Sequence, residues 1–268
     1  MSQPVGSTVP TATSTAATST AATSKPTSSV PSTTAEVERA KRQPELLDVT
    51  LRWSDLGLFL ACYAAMVVVW VGIGEFITHS SAIEARDQSV AEWFVDTRTE
   101  TLDSLSALGS NLAATMVKIA VTAVLAIIMR LVWKRWREPL MMVVPLVLEA
   151  SVFITVTYLV ARPRPDVERL ESSPVDSSFP SGHVAAGAAY GALIIILYWH
   201  VRNRVARACI VVLCVAIPVI VGWARMYRGM HHLTDVLAGV LLGIVSVAVS
   251  WWMIHRAIER TRSSQAIG

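Results

Sequence analysis

Charge is scarce in this chain. Asp, Glu, Lys and Arg make up 16% of its 268 residues, against roughly 25% in an average soluble domain. Cysteine is scarcer still. Only Cys62, Cys209 and Cys214 are present, in none of the spacings of a disulfide framework or a zinc site. All three fall inside apolar stretches and read as buried free thiols. The first 45 residues lack the short apolar core of a signal peptide. They are rich in Ser, Thr, Ala and Pro, with a small repeat, STAATSTAATS. Such a segment buries too little apolar surface to offset its ordering entropy, so a disordered tail is expected over 1–45.

Apolar residues fill what remains, 53% of the chain, and they come in blocks. Six approach the roughly 20 residues that cross a bilayer: Leu56–Phe76, Leu105–Leu131, Leu140–Ala161, Val184–Trp199, Ala208–Trp223 and Leu233–Ile254. The fold class implied is an all-α integral membrane protein, a bundle of six transmembrane helices over 46–262, with a short tail at 263–268. Basic residues set the orientation. Lys41, Arg42 and Arg52 precede the first block, Arg130, Lys134, Arg135 and Arg137 follow the second, Arg202, Arg204 and Arg207 follow the fourth, and Arg256, Arg260 and Arg262 follow the sixth. These segments and both termini are expected in the cytoplasm. The acidic segment from Glu84 to Asp103 is expected outside. The net charge of +3 thus reflects membrane orientation, and no nucleic-acid partner is expected.

Three polar features fall on the predicted outer side. Past the third block, Arg162 and Arg164 alternate with Pro163 and Pro165. Proline ends a helix and holds the chain extended, and two fixed guanidiniums suit a phosphate. Before the fourth block stands Phe179-Pro180-Ser181-Gly182-His183, small residues at a helix start with open N–H groups for an anion and a histidine that can move protons. Between the fifth and sixth blocks lie Arg225, Arg228, His231 and Asp235. If His231 and Asp235 both lie on the starting helix, their spacing of four puts them on one face, where the carboxylate would orient the imidazole as a nucleophile. Cations, two histidines and a carboxylate, with no cysteine or acidic cluster for a metal, suit phosphoryl transfer by electrostatic clamping.

These motifs resemble the type 2 phosphatidic acid phosphatase (lipid phosphate phosphatase) superfamily, whose signature is Lys-x6-Arg-Pro, Pro-Ser-Gly-His and Ser-Arg-x5-His-x3-Asp. Arg164-Pro165 matches the end of the first part, Pro180–His183 the second, and Arg225, His231 and Asp235 the third. The resemblance implies that His231 attacks phosphorus to form a phosphohistidine, oriented by Asp235, and that His183 protonates the leaving oxygen and then activates water. Arg164, Arg225, Ser181 and the Gly182 amide would hold the phosphoryl oxygens. No cofactor and no metal are implied. The substrate would be a lipid phosphate drawn from the membrane lipids, of the phosphatidic acid, diacylglycerol pyrophosphate, phosphatidylglycerol phosphate or polyprenyl phosphate class, met at the outer face of a plasma membrane.

Two positions depart from the signature. Ala224 stands where the family has Ser, and Thr157 where it has Lys. They leave open a non-catalytic phospholipid-binding or transport relative that keeps the anion site. Arg162, Arg228 and Lys118 are candidates for the missing cation. Lys118 falls within the second apolar block, where an ionisable residue is a functional hypothesis by default. Glu149 in the third block falls at similar depth, so the two would also suit a simple register-fixing pair.

Overall fold

Inside a bilayer every backbone polar group needs an internal partner, and a helix supplies it. The apolar blocks accordingly form helices in the computed structural model, which describes residues 49–111, 114–173 and 175–267. The expected tail at 1–45 lies outside them. The described helices are α1 (Trp53–Thr78), α2 (Ser81–Asp96), α3 (Glu100–Asn111), α4 (Thr115–Trp133), α5 (Arg137–Val160), α6 (Gly182–Ala189), α7 (Ala192–His200), α8 (Arg204–Tyr227) and α9 (Leu233–Ile267). Six segments are long and apolar enough to cross a membrane: α1, α4, α5, α6 with α7, α8, and Leu233–Ser263 of α9. The protein is a six-span integral membrane protein.

The second block is not one span. Its first part belongs to α3, whose Ser106 and Ser110 are buried among polar partners, and the spanning helix starts only at Thr115. The small polar run Gly109-Ser110-Asn111 favours a break over continuation. As a result Lys118 lies one turn from the start of α4, not at mid-depth. At the other terminus, α9 continues through 263–267, which the sequence reading set apart as a tail. Cys214 is buried, Cys62 is half-buried and Cys209 is exposed, so the expectation of three buried thiols fails at Cys209, on an outward face of α8.

The core forms where α5, α6 and α9 meet. Leu148, Val152 and Val156 of α5, Ala185 of α6 and Leu242 of α9 are fully buried, with Phe179 beside them. Small residues let α9 approach the backbone of α6, as helices in lipid commonly do. A Cβ at Gly239 would fall 2.5 Å from the Ser181 carbonyl oxygen, and one at Gly243 2.5 Å from the Ala188 Cβ. Val68, Phe76, Ile127 and Val219 are exposed on the outer flanks, as lipid-facing residues should be.

At one end of the bundle Glu138 is wholly buried under Arg135, Arg137 and His200, and His200 stacks on Trp133. At the opposite end α4, α6 and α9 begin and α5 and α8 stop. All three sequence motifs therefore converge there. Helices α2 and α3 close over it. Arg98 donates to the carbonyls of Tyr227 and Glu168, and the Tyr227 hydroxyl donates to Asp103.

Candidate active site

Proline and glycine build the frame. α5 ends at Val160, Ala161 turns left-handed with φ 47°, and Pro163 and Pro165 keep the following chain extended. α8 ends at Tyr227, and Gly229 turns the chain at φ 69°, a conformation glycine adopts without strain. Met230 N–H then returns to the Arg225 carbonyl at 3.0 Å, which fixes His231 just ahead of α9. Ser181 N–H donates to the Asp235 carbonyl at 3.0 Å and so ties the start of α6 to the start of α9.

Between these elements is a cavity of about 130 Å³ whose lining includes Lys118, Arg164, Gly182, His183, Arg225 and His231. A second cavity, about 410 Å³, opens on the other side of Arg164 and is lined by Glu84, Gln88, Arg162 and His232 among others. A further cavity of about 220 Å³ around Leu56, Phe59 and Ile254 is nearly all apolar and offers no chemistry.

The protonation pattern of His231 follows from its partner. Its Nδ1 lies 2.7 Å from the Ser178 carbonyl oxygen. A carbonyl only accepts, so Nδ1 carries the proton and Nε2 keeps its lone pair. Ser178 is itself held, its N–H on the Arg162 carbonyl at 2.8 Å and its hydroxyl on the Pro163 carbonyl at 2.9 Å. Burial pushes the His231 pKa well below the ordinary histidine range, and the Arg225 charge pushes the same way, while Asp235 opposes them. The ring is a neutral base at neutral pH.

Asp235 does not hydrogen-bond His231. Its Oδ2 accepts from His232 N–H at 2.8 Å and His232 Nδ1 at 3.2 Å, and its Oδ1 takes Arg162 at 2.5 Å. The expected pairing needed both residues on one helix, but α9 starts at Leu233, so helical spacing does not hold for His231. Arg162 also binds Asp87 of α2 at 2.9 Å. This Asp87–Arg162–Asp235 triad is buried throughout and braces the frame.

Arg164 donates to the Met230 carbonyl, to Ser173 Oγ at 2.9 Å and to the carbonyls of Val175 and Ser177 at 3.0 Å each. It has no carboxylate partner among the described residues, and burial together with the Arg225 charge lowers its pKa. Arg225 donates to Ser110 at 2.8 Å and is paired with Glu171. Burial raises the Glu171 pKa, but Arg225 and Arg228 outweigh it and hold the group below the usual carboxylate range. The Nε atoms of Arg164 and Arg225 and the hydroxyl of Ser181 are buried without a partner.

Of the other candidates, Lys118 joins the cavity and pairs with Glu149 at 3.3 Å. Arg162 and Arg228 do not line it. Arg228 instead holds the loop, through Glu171 at 2.7 Å, Ser106 at 3.2 Å and the Leu170 carbonyl at 2.9 Å. Thr157 is buried and donates to the Phe179 carbonyl at 3.4 Å. Ala224 is fully buried. Sequence reasoning missed Asp87, Glu171, Ser110 and Ser178. Only Asp87 left a trace, as one of the acids of a segment expected outside the membrane.

A sequence model of the PAP2 superfamily matches residues 140–259, the stretch that carries all three motifs. That stretch is a PAP2 domain. The chain is 28% identical over 155 residues to the "Putative undecaprenyl-diphosphatase YbjG" of Escherichia coli (strain K12), covering 54% of this chain and 74% of that protein. It is 27% identical over 171 residues to "Phosphatidylglycerophosphatase B" of Bacillus subtilis (strain 168), covering 62% and 82%. The crystal structure of a transmembrane PAP2 type phosphatidylglycerolphosphate phosphatase from Bacillus subtilis superposes with a TM-score of 0.65 at 23% identity, over 71% of this chain and 94% of that one. The protein is thus an integral membrane protein whose residues 140–259 are similar to the PAP2 superfamily. α1 to α4, and Lys118 with them, precede the matched PAP2 stretch.

Proposed function

We propose that the protein hydrolyses a phosphomonoester or pyrophosphate of a membrane lipid at the outer face of the plasma membrane, with both termini inside, through a phosphohistidine on His231. The observation that carries this reading is His231 Nδ1 against the Ser178 carbonyl, which leaves Nε2 as the basic nitrogen, in a cavity shared with His183 and a set of cations. Nε2 attacks phosphorus, the bond to the leaving oxygen breaks, and His183 gives that oxygen its proton. His183 then takes a proton from water as the water attacks the phosphohistidine, and inorganic phosphate leaves.

Arg164, Arg225, Ser181 and the Gly182 amide stabilise the phosphoryl oxygens. The orphaned Arg164 Nε, Arg225 Nε and Ser181 Oγ support such a ligand, since a buried donor without an acceptor costs about 1–3 kcal/mol. Asp235 acts on His231 through the frame and through its charge. The cavity offers guanidinium and ammonium groups for charge compensation, so the reaction is assigned no metal. The site lies at the ends of the spans, where a headgroup enters while its chains stay in lipid. Phosphatidate, diacylglycerol pyrophosphate, phosphatidylglycerol phosphate and polyprenyl phosphates all meet that geometry.

Purified protein in micelles, given these lipids with and without EDTA, tests the reading. Phosphate release that survives chelation and vanishes in His231→Ala is the expected result. No release from any of them would overturn it. A cysteine placed in the 162–182 loop should label from outside the cell, and protection there would reverse the orientation.

A further inference from the structure

Lys118 is poorly explained as a structural residue. It ends the first turn of α4, with its N–H on the Ala114 carbonyl, where a cation opposes the helix dipole. Its partner Glu149 is wholly buried, yet only one carboxylate oxygen, Oε1, is engaged, at 3.3 Å. Oε2 has no partner. Ion pairs buried in this way are weak evidence for stability, since desolvation offsets their attraction. The side chain meanwhile lines the same small cavity as His183, Arg225 and His231.

An ammonium group has three donors. One goes to Glu149, which leaves two for the cavity. The start of α4 at Thr115 is what brings Lys118 to this depth, and no signature motif of the PAP2 stretch contains it. Thr157, by contrast, spends its hydroxyl on the Phe179 carbonyl and contributes no charge to the cavity.

We propose that Lys118 is a further catalytic residue, contacting the phosphoryl group from α4 in the cavity it shares with the two arginines, and that Glu149 is its positioning residue. This deepens the phosphatase reading and rests on it for the identity of the ligand. The pair is neutral overall, so replacing both members by apolar residues should leave the bundle folded.

The test compares Lys118→Met, Lys118→Arg, Glu149→Gln and the double variant Lys118→Met/Glu149→Leu in micelles. Thermal midpoints report folding, and binding of orthovanadate, an analogue of the phosphoryl transition state, reports the contact. Lys118→Met and the double variant should lose vanadate affinity at least about tenfold and kcat/KM about 100-fold, the scale of one lost charge-stabilising donor. Lys118→Arg should recover part of both, and Glu149→Gln should weaken vanadate binding less than Lys118→Met does. Wild-type vanadate affinity in a folded double variant would show a register-fixing pair and overturn the proposal. If the natural chain binds vanadate but hydrolyses none of the lipids, the function falls while the Lys118 comparison still decides this inference.

Discussion

Glu171 occupies Arg225. The carboxylate of this loop residue pairs with the guanidinium that lines the cavity, and its other oxygen holds Arg228 at 2.7 Å. A phosphate entering the cavity competes with Glu171 for the same donors. Glu171→Gln is therefore expected to tighten inorganic phosphate as a competitive inhibitor by about 3- to 10-fold, the worth of part of one charge-assisted bond, and to lower the thermal midpoint as the loop loses an anchor. Inhibition constants with a soluble phosphomonoester give the answer. Weaker phosphate binding would instead assign Glu171 the task of aiming Arg225.

The Asp87–Arg162–Asp235 triad makes a different prediction. Arg162 is 3% exposed and its partners are 2% and 0% exposed. Arg162→Leu strands two carboxylates in the interior, which costs about 3–5 kcal/mol when a buried pair is broken. Thermal or denaturant unfolding in micelles should register that loss. Arg228→Leu touches a carboxylate that is 28% exposed, and its cost should be clearly smaller.

Much of this arrangement was legible in the sequence because it rests on local chemistry. Hydropathy placed the spans, the prolines after Ala161 marked the loop, and motif spacing brought Arg164, His183, Arg225 and His231 to one cavity. What the sequence hid depends on contacts far apart along the chain. Asp87 lies in a segment read only as external to the membrane, yet it is buried and paired with Arg162. Asp235 was paired with the wrong histidine, since helical spacing was applied to a residue two positions ahead of the helix. The break before Thr115 was masked by the apolar residues around it, which carried the depth of Lys118 with it.

Close approach of α9 to α6 positions Ser181, and single methyl groups test it. At Gly239 a Cβ meets the Ser181 carbonyl, a backbone atom with nowhere to move. Gly239→Ala should cost about 1–3 kcal/mol as overpacking and reduce kcat, because Ser181 and Gly182 shift together. At Gly57 and Gly72 nothing lies within 4 Å of the added carbon. Alanine there should be neutral or stabilising by up to about 1 kcal/mol, with unchanged kinetics.

The last prediction concerns pH. In the folded protein His231 is neutral well below the usual histidine pKa because it is buried beside Arg225, whereas in the unfolded chain it titrates near 6.5. Below about pH 6.5 the unfolded state therefore binds a proton that the folded state refuses, and stability falls as pH falls. Between pH 7 and 5.5 this single group accounts for about 1 kcal/mol, from a linkage of about 1.36 kcal/mol per proton and pH unit. Glu171, with its lowered pKa, adds loss of the same sign only at lower pH, where a free carboxylate begins to protonate. His231→Gln removes this group's share of the acid limb. Its unfolding free energy should change less than that of the natural chain over pH 7 to 5.5, and the difference should go on widening at lower pH until the folded His231 itself takes up a proton. An unaltered slope between pH 7 and 5.5 would mean that His231 takes up its proton at the ordinary pH, which would also remove the neutral nucleophile on which the proposed mechanism depends.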